Sequence, residues 1–214
     1  ASLSSLDLRS FDTSLVTNMV YMFENCNFLS ELYIDNFITS SVKNMKAMFK
    51  YCNSLKNLNV ERFDTSKVTD MSEMFYYCRG LSTLNITNFD TAIVEDMSYM
   101  FYYCVELREL NISFNTIQVK NMSHLFEDCS SLISLDVSAF NTNKVIDMSN
   151  MFLDCNLLTS LDVSNFNTSS VTSMSHIFDG CQSLTHIDIS NFETMNVGDM
   201  SYMFRFCNKI TSLS

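Results

Sequence analysis

Eight cysteines set the frame of this chain. Cys26, Cys52, Cys78, Cys104, Cys129, Cys155, Cys181 and Cys207 follow one another at 26 residues, except for one step of 25 between Cys104 and Cys129. The other apolar columns keep the same step, and one copy, Leu55 to Cys78, reads LKNLNVERFDTSKVTDMSEMFYYC. No copy of that length closes a core alone, so the coils must stack and bury their apolar faces against each other. The spacing predicts an α/β solenoid of about eight coils, each with one short parallel strand and one short helix.

The strand is the Leu-x-[LVI] segment, Leu58-Asn59-Val60 in the third coil, alternating inward and outward with period two. Next comes a corner, Phe-Asp-Thr-Ser, in which Phe63 and its equivalents form an aromatic column and short polar side chains hold the bend without glycine. Ile38 interrupts the polar pattern, so the second corner is expected to be weaker. Val68, Met71, Met74, Phe75 and Cys78 then fall at spacings of one helical face, with Asp or Asn before the first Met placed to cap a first turn. The 25-residue step is a deletion in the loop leaving the strand, where Ile112 and Phe114 are separated by Ser113 alone. A slip inside the strand would instead turn its side chains to the wrong face.

Composition narrows the functions. With 24 acidic against 13 basic residues, the net charge is -11, spread over both halves, and nucleic-acid binding lacks the basic surface it needs. No apolar run is long enough to span a membrane, so no membrane insertion is expected. The cysteines lie too far apart for the paired ligands of a zinc site, and they share phase with the inward Met and Phe positions. Reduced core thiols are the expectation, with disulfide rungs and a metal as the lesser alternatives. The three histidines have no repeating acidic or thiol partner, and there is no phosphate loop or nucleophile elbow. The chain is therefore expected not to be an enzyme and to need no cofactor.

The repeated string L-x-x-L-x-[LVI]-x-x-F-[DN]-T-S-x-V-x-[DN]-M-S-x-M-F-x-x-C resembles the 26-residue repeat of the BspA-like leucine-rich-repeat surface proteins of bacteria. The likeness runs from Leu3 to Leu213. It implies a leucine-rich-repeat right-handed stack, export to the cell surface or secretion, and adhesion to a host or other extracellular protein. The family's usual Gly before Cys survives only in Gly180-Cys181, with Tyr77, Tyr103, Asp128 and Asp154 at that place elsewhere. The sequence reads as one solenoid over residues 1–214, starting and stopping in mid-pattern as a piece of a longer protein would.

Partner contact falls to exposed columns. Tyr51, Tyr76, Tyr77, Tyr99, Tyr102 and Tyr103 concentrate in the second to fourth coils, and interfaces favour tyrosine. Their alternative role is to shield the side of the stack. On the strand face, Tyr33 shares a column with Asp136, Asp162 and Asp188. Those carboxylates are either a site for Ca²⁺ or a basic segment, or a solvated face. Two functions from different classes are open: a surface protein-binding module, and a rigid spacer carrying another domain. Weak end-to-end self-association of exposed end coils is a third.

Overall fold

A computed structural model describes residues 3–213. The coils stack as expected, and the inward columns are buried through the middle of the stack except at Leu58 and Ile112 on the strand side, which are half-buried. Val68, Met71, Met74, Phe75 and Cys78 are all fully enclosed, and so are their equivalents in the adjoining coils. In the first and last coils the same columns lack a neighbour on one side, which leaves Phe11 exposed and Phe204 half-buried.

Six short strands lie on one side: β1 (Ser5–Asp7), β2 (Glu31–Tyr33), β3 (Thr83–Asn85), β4 (Glu109–Asn111), β5 (His186–Ile187) and β6 (Ser212–Leu213). They pair in parallel as β1–β2, β3–β4 and β5–β6, each residue opposite its counterpart one coil on. Asn57–Asn59, Ser134–Asp136 and Ser160–Asp162 hold the strand position in their coils without joining a ladder. The parallel strand is thus present in most coils, though not in all.

The helix expected in each coil is not there. Among the described residues no segment is helical, and no helix is long and apolar enough to cross a membrane. Met71–Cys78 is instead a run of tight turns. The Met74, Tyr76 and Cys78 amides donate three residues back, to the carbonyls of Met71, Glu73 and Phe75, at 3.3, 3.0 and 3.0 Å. The amides between them, of Met71, Glu73, Phe75 and Tyr77, donate to Asp96, Ser98, Met100 and Tyr102 of the next coil at 2.7–3.1 Å. A helix spends all these donors within itself, whereas alternation leaves every second one to tie coil to coil. The arrangement requires two left-handed residues per coil, here Glu73 (φ 59°) and Tyr77 (φ 59°), and the pattern repeats from Tyr21 to Phe206. Each non-glycine residue held there costs on the order of 1–2 kcal/mol, which the cross-coil bonds must offset. Gly180 (φ 71°) meets the requirement without strain, and the Asp154 carboxylate fills the space a side chain would take.

The Asp or Asn before the first Met therefore caps a turn rather than a helix: Asp70 Oδ1 accepts the Ser72 amide at 2.9 Å. Its backbone forms a continuous seam of parallel bridges, Asn18–Asn44–Asp70–Asp96–Asn121–Asp147–Ser173–Asp199.

At the corner, the threonine does more than hold the bend. Thr116 Oγ1 donates to the Asn141 carbonyl at 2.9 Å and accepts the Asn141 amide at 2.7 Å, clamping one coil to the next. The Thr39–Asp64 and Thr142–Asn167 pairs do the same. The Ile38 corner lacks the side-chain turn that Asp64 makes with the Ser66 amide, yet Thr13 still clamps Ile38 through its backbone. The short coil behaves likewise. Most copies close a turn from the strand to Phe, such as the Phe89 amide to the Ile86 carbonyl at 3.0 Å; the deletion at Ser113 removes it, and Thr91 restores the register at Asn115.

Two phenylalanine files run along the stack. Phe23, Phe49, Phe75, Phe101, Phe126, Phe152, Phe178 and Phe204 stack at centroid distances of 5.5–5.9 Å. Phe63, Phe89, Phe114 and Phe140 are buried in the second file, where the stacked pairs Phe63–Phe89, Phe114–Phe140 and Phe140–Phe166 are 6.2–6.5 Å apart. The rings of the turn-side file are the closer spaced of the two, and the seam beside it is continuous where the strand ladder is interrupted.

All eight cysteines are free thiols. From Cys52 onward each donates from Sγ to the Phe carbonyl of the preceding coil at 3.0–3.3 Å, as Cys78 does to Phe49. Burial pushes the Cys52 and Cys104 thiols up to about 12, so they stay protonated and are poor nucleophiles.

Candidate binding surfaces

The turn side carries the tyrosines. Because the run is built of turns, its outward residues stack directly on their counterparts one coil away. Tyr77 lies against Tyr103 at 4.3 Å, Tyr76 against Tyr102 at 4.7 Å, and Tyr51 against both Tyr76 and Tyr77 at 5.4 and 5.3 Å. Tyr99 joins them at 5.6 Å from Tyr102, and its other face stacks on His124 at 4.1 Å. All six rings are half-buried. Burial raises the Tyr76 and Tyr77 hydroxyls and pushes Tyr102 up to about 12. Among the described residues the hydroxyls of Tyr77, Tyr99, Tyr102 and Tyr103 find no hydrogen-bond partner by ordinary geometry, although none is sealed from water.

Cations border the ledge. Lys50 Nζ sits 4.5 Å from the Tyr76 ring centre and Arg79 lies 5.4 Å from that of Tyr103. Lys50 and Lys46 both pair with Glu73, the latter at 3.3 Å. Burial pushes the Glu73 carboxyl up, but the two ammonium groups outweigh it and hold the group below the usual range.

Further along, the columns turn acidic. Glu127 is buried and pairs with His124; Asp179 is buried between His176 at 2.8 Å and Arg205 at 2.7 Å, so, contrary to expectation, these two histidines do repeat an acidic partner three residues on. Asp128 and Asp154 follow Tyr77 and Tyr103 in one column. Burial, then the charges of Asp154 and Glu127, pushes the Asp128 carboxyl up to about 6. A carboxyl raised in the fold favours its protonated form there, so its ionisation weakens the fold as pH rises through about 6. Asp128→Asn keeps the size of the side chain, removes that charge and suits a φ of 57°. The variant is expected to melt about 2–4 °C above the parent at pH 7.5. The difference should vanish by pH 4, where both carry a neutral side chain. Thermal unfolding across that pH range checks it; a gap that stays constant refutes the ionisation account.

The strand face is separate. Tyr33 stands there alone, 5.0 Å from Arg9, away from the other six tyrosines. Asp136, Asp162 and Asp188 do line one groove of about 520 Å³, with His186 beside them. Each is occupied locally, taking the amide of Ser138, Ser164 or Ser190 two residues on at 2.9–3.0 Å. Those bonds hold the three carboxyls below their ordinary value. A second groove, of about 660 Å³, crosses the second to fourth coils and is lined by Glu31, Tyr33, Asp35, Asn57, Asn59 and Glu61, among others. The period already places Glu31, Asp35 and Glu61 on outward strand-side columns, Asp35 and Glu61 one step of 26 apart, but only Tyr33 stood out there as a contact candidate. The column analysis missed Lys50, Glu73 and His124, whose link to the tyrosines is visible only once the turns fix which columns adjoin.

These features define a tandem-repeat solenoid whose outward chemistry is arranged in columns along its two sides. The chain belongs to the family described as "Mycoplasma protein of unknown function, DUF285", which matches residues 1–109, 80–161 and 132–213. No curated protein matches it. Among solved structures it is similar to a leucine-rich cell surface protein from Faecalibacterium prausnitzii, with 17% identity, 99% of this chain and 79% of that one covered, and a TM-score of 0.36. It is also similar to the functional domain of InlJ from Listeria monocytogenes, described as including a cysteine ladder, with 14% identity, 100% and 56% covered, and a TM-score of 0.32. An internalin of Listeria monocytogenes follows at 15% identity, 90% and 75% covered, and a TM-score of 0.27. The chain spans a little over half of the InlJ domain's length. The solenoid assignment rests on the coils themselves.

Proposed function

We propose that this chain is a protein-binding module of the BspA-like kind, displayed at the cell surface or secreted, that adheres to a host or other extracellular protein, and that it is not an enzyme. The observation that carries the reading is the tyrosine ledge. Its rings are fixed against one another and present edges and unpaired hydroxyls outward, so little side-chain freedom remains to be lost on contact. Large, rigid, amphipathic rings with cations at the border are the composition that interface centres favour. The rings also shield the turn side, and the two roles are compatible because only part of each ring is covered.

A screen of the folded chain against extracellular-matrix and cell-surface proteins tests the proposal. The captured partner should bind the Tyr77→Ala/Tyr102→Ala/Tyr103→Ala variant about 30-fold more weakly, the scale of lost hot-spot residues. The corresponding Phe variant, which keeps the stacking, should lose about 5–10-fold through the hydroxyls alone. Capture of nothing, or a folded Ala variant with unchanged affinity, overturns it.

The spacer reading has its own support in the unbroken seam from Asn18 to Asp199, which stiffens the stack. It does not account for unpaired hydroxyls gathered at one place.

A further inference from the structure

We infer that the groove across the second to fourth coils is a second binding site, independent of the tyrosine ledge, for an extended arginine- or lysine-bearing segment of a partner protein. Asn57–Asn59 occupies the strand position between β2 and β3 but pairs with neither, and its backbone amides and carbonyls make no backbone hydrogen bond. Leu58, which points inward there, is only half-buried, whereas Leu32 and Leu84 on either side are buried. The strand side has parted at this coil, leaving the groove of about 660 Å³ over it.

The chemistry of the lining is one-sided. Glu31, Asp35 and Glu61 contribute three carboxylates and Asn57 an amide oxygen, those of Asn59 and Asn85 being taken by the Glu61 amide and by Thr87, and no Lys, Arg or His lines the groove. Among the described residues none of the three carboxylates has an ion-pair partner, and Asp35 and Glu61 accept no side-chain hydrogen bond. The groove of Asp136, Asp162 and Asp188 differs, since there each carboxylate already holds its own serine. Unmet carbonyls beside unpaired carboxylates call for a ligand rich in N–H donors and positive charge. A guanidinium, with five donors in a planar fork, meets both.

Arg9 supplies a pattern for that contact within the chain. It lies over the Tyr33 ring at 5.0 Å and pairs with Asp7 at 2.6 Å, placing one guanidinium against the wall of this groove. On the following coils Asp35 and Glu61 stand at the position of Arg9 itself, with Tyr33 and Asn59 at that of Asp7, so carboxylates take the place of the arginine there. Among the described residues no group of three or more His, Cys, Asp or Glu side chains is placed to hold a metal ion. The carboxylates lie on two adjoining coils, within reach of alternate side chains of an extended strand.

The test uses the folded chain and a fluorescent deca-arginine peptide, with a deca-glutamate peptide for comparison, followed by anisotropy at moderate salt. Deca-arginine should bind and deca-glutamate should not. Glu31→Gln/Asp35→Asn/Glu61→Gln should weaken binding at least tenfold. Glu24→Gln/Glu106→Gln/Glu193→Gln, an equal change of net charge elsewhere, should weaken it by less than threefold. All six side chains are at the surface, and circular dichroism establishes that both variants keep the fold. The Tyr77/Tyr102/Tyr103 alanine variant should bind the peptide as the parent does, which separates this site from the ledge. Absence of binding, equal loss in the two charge variants, or equal binding of deca-glutamate overturns the proposal.

Discussion

Replacing Phe101 by alanine is expected to lower the stability of the chain by about 3–5 kcal/mol, the range for removing a fully buried aromatic side chain. Phe101 is wholly enclosed and stacks on Phe75 at 5.6 Å and on Phe126 at 5.5 Å. The cavity would open in the middle of the file, so both adjoining interfaces lose their shared ring. In a stack where each coil touches only its neighbours, no distant contact compensates. Thermal and urea unfolding should show a midpoint lowered by roughly 6–20 °C, together with a broadened transition as the two halves of the stack begin to melt apart. The same substitution at Phe11, exposed in the first coil, should cost far less. Equal losses at the two positions would contradict the account of the core given above.

The second large effect belongs to a polar residue. Thr116→Val keeps the shape of the side chain and its burial but removes the hydroxyl that donates to one backbone group of Asn141 and accepts from another. Two backbone groups then face an apolar methyl, and each unsatisfied group costs about 1–3 kcal/mol. The expected loss is about 2–4 kcal/mol, measured by urea unfolding, with amide hydrogen exchange at Asn141 rising well above that of the parent. Thr116→Ser retains both bonds and should recover most of the stability. A valine variant as stable as the parent would show that the corner is held by Phe114 and Phe140 alone.

The same threonine illustrates what the sequence conveys and what it does not. Its recurrence in every corner, after Asp or Asn in all but the Ile38 and Glu193 corners, is plain in the string, and so is its place among short polar side chains that hold bends. Its true partner lies one coil away, and nothing local reveals that. The period, the inward columns and the buried cysteines were legible for a related reason: burial in a stack repeats with the chain, and the chain can be counted. The helix was a misreading of a sound pattern. Met71, Met74, Phe75 and Cys78 stand at i, i+3, i+4 and i+7, which is one face of a helix, but a run of turns closing every second residue buries the same four positions. What separates the two is where the Glu73 and Tyr77 amides go, and the partners they find are on the next coil. The Tyr cluster was legible as neighbouring columns; the mutual stacking that fixes its geometry follows from the turns. The groove over Asn57–Asn59 was beyond sequence, since it arises where a ladder fails to form while its residues keep the strand pattern.

The seam along the turn side has a mechanical consequence. Its bonds run both ways, the Met71 amide reaching forward to Asp96 and the Thr69 amide back to Lys43, and they recur at every coil, while the opposite side is tied only in places. Tension applied between the two ends therefore opens the loosely tied side first and works toward the seam, shedding one coil at a time. Each coil released pays out 26 residues, or 25 at the short one, about 90 Å of extended chain. A tether built this way would lengthen in steps and dissipate a pull instead of transmitting it whole.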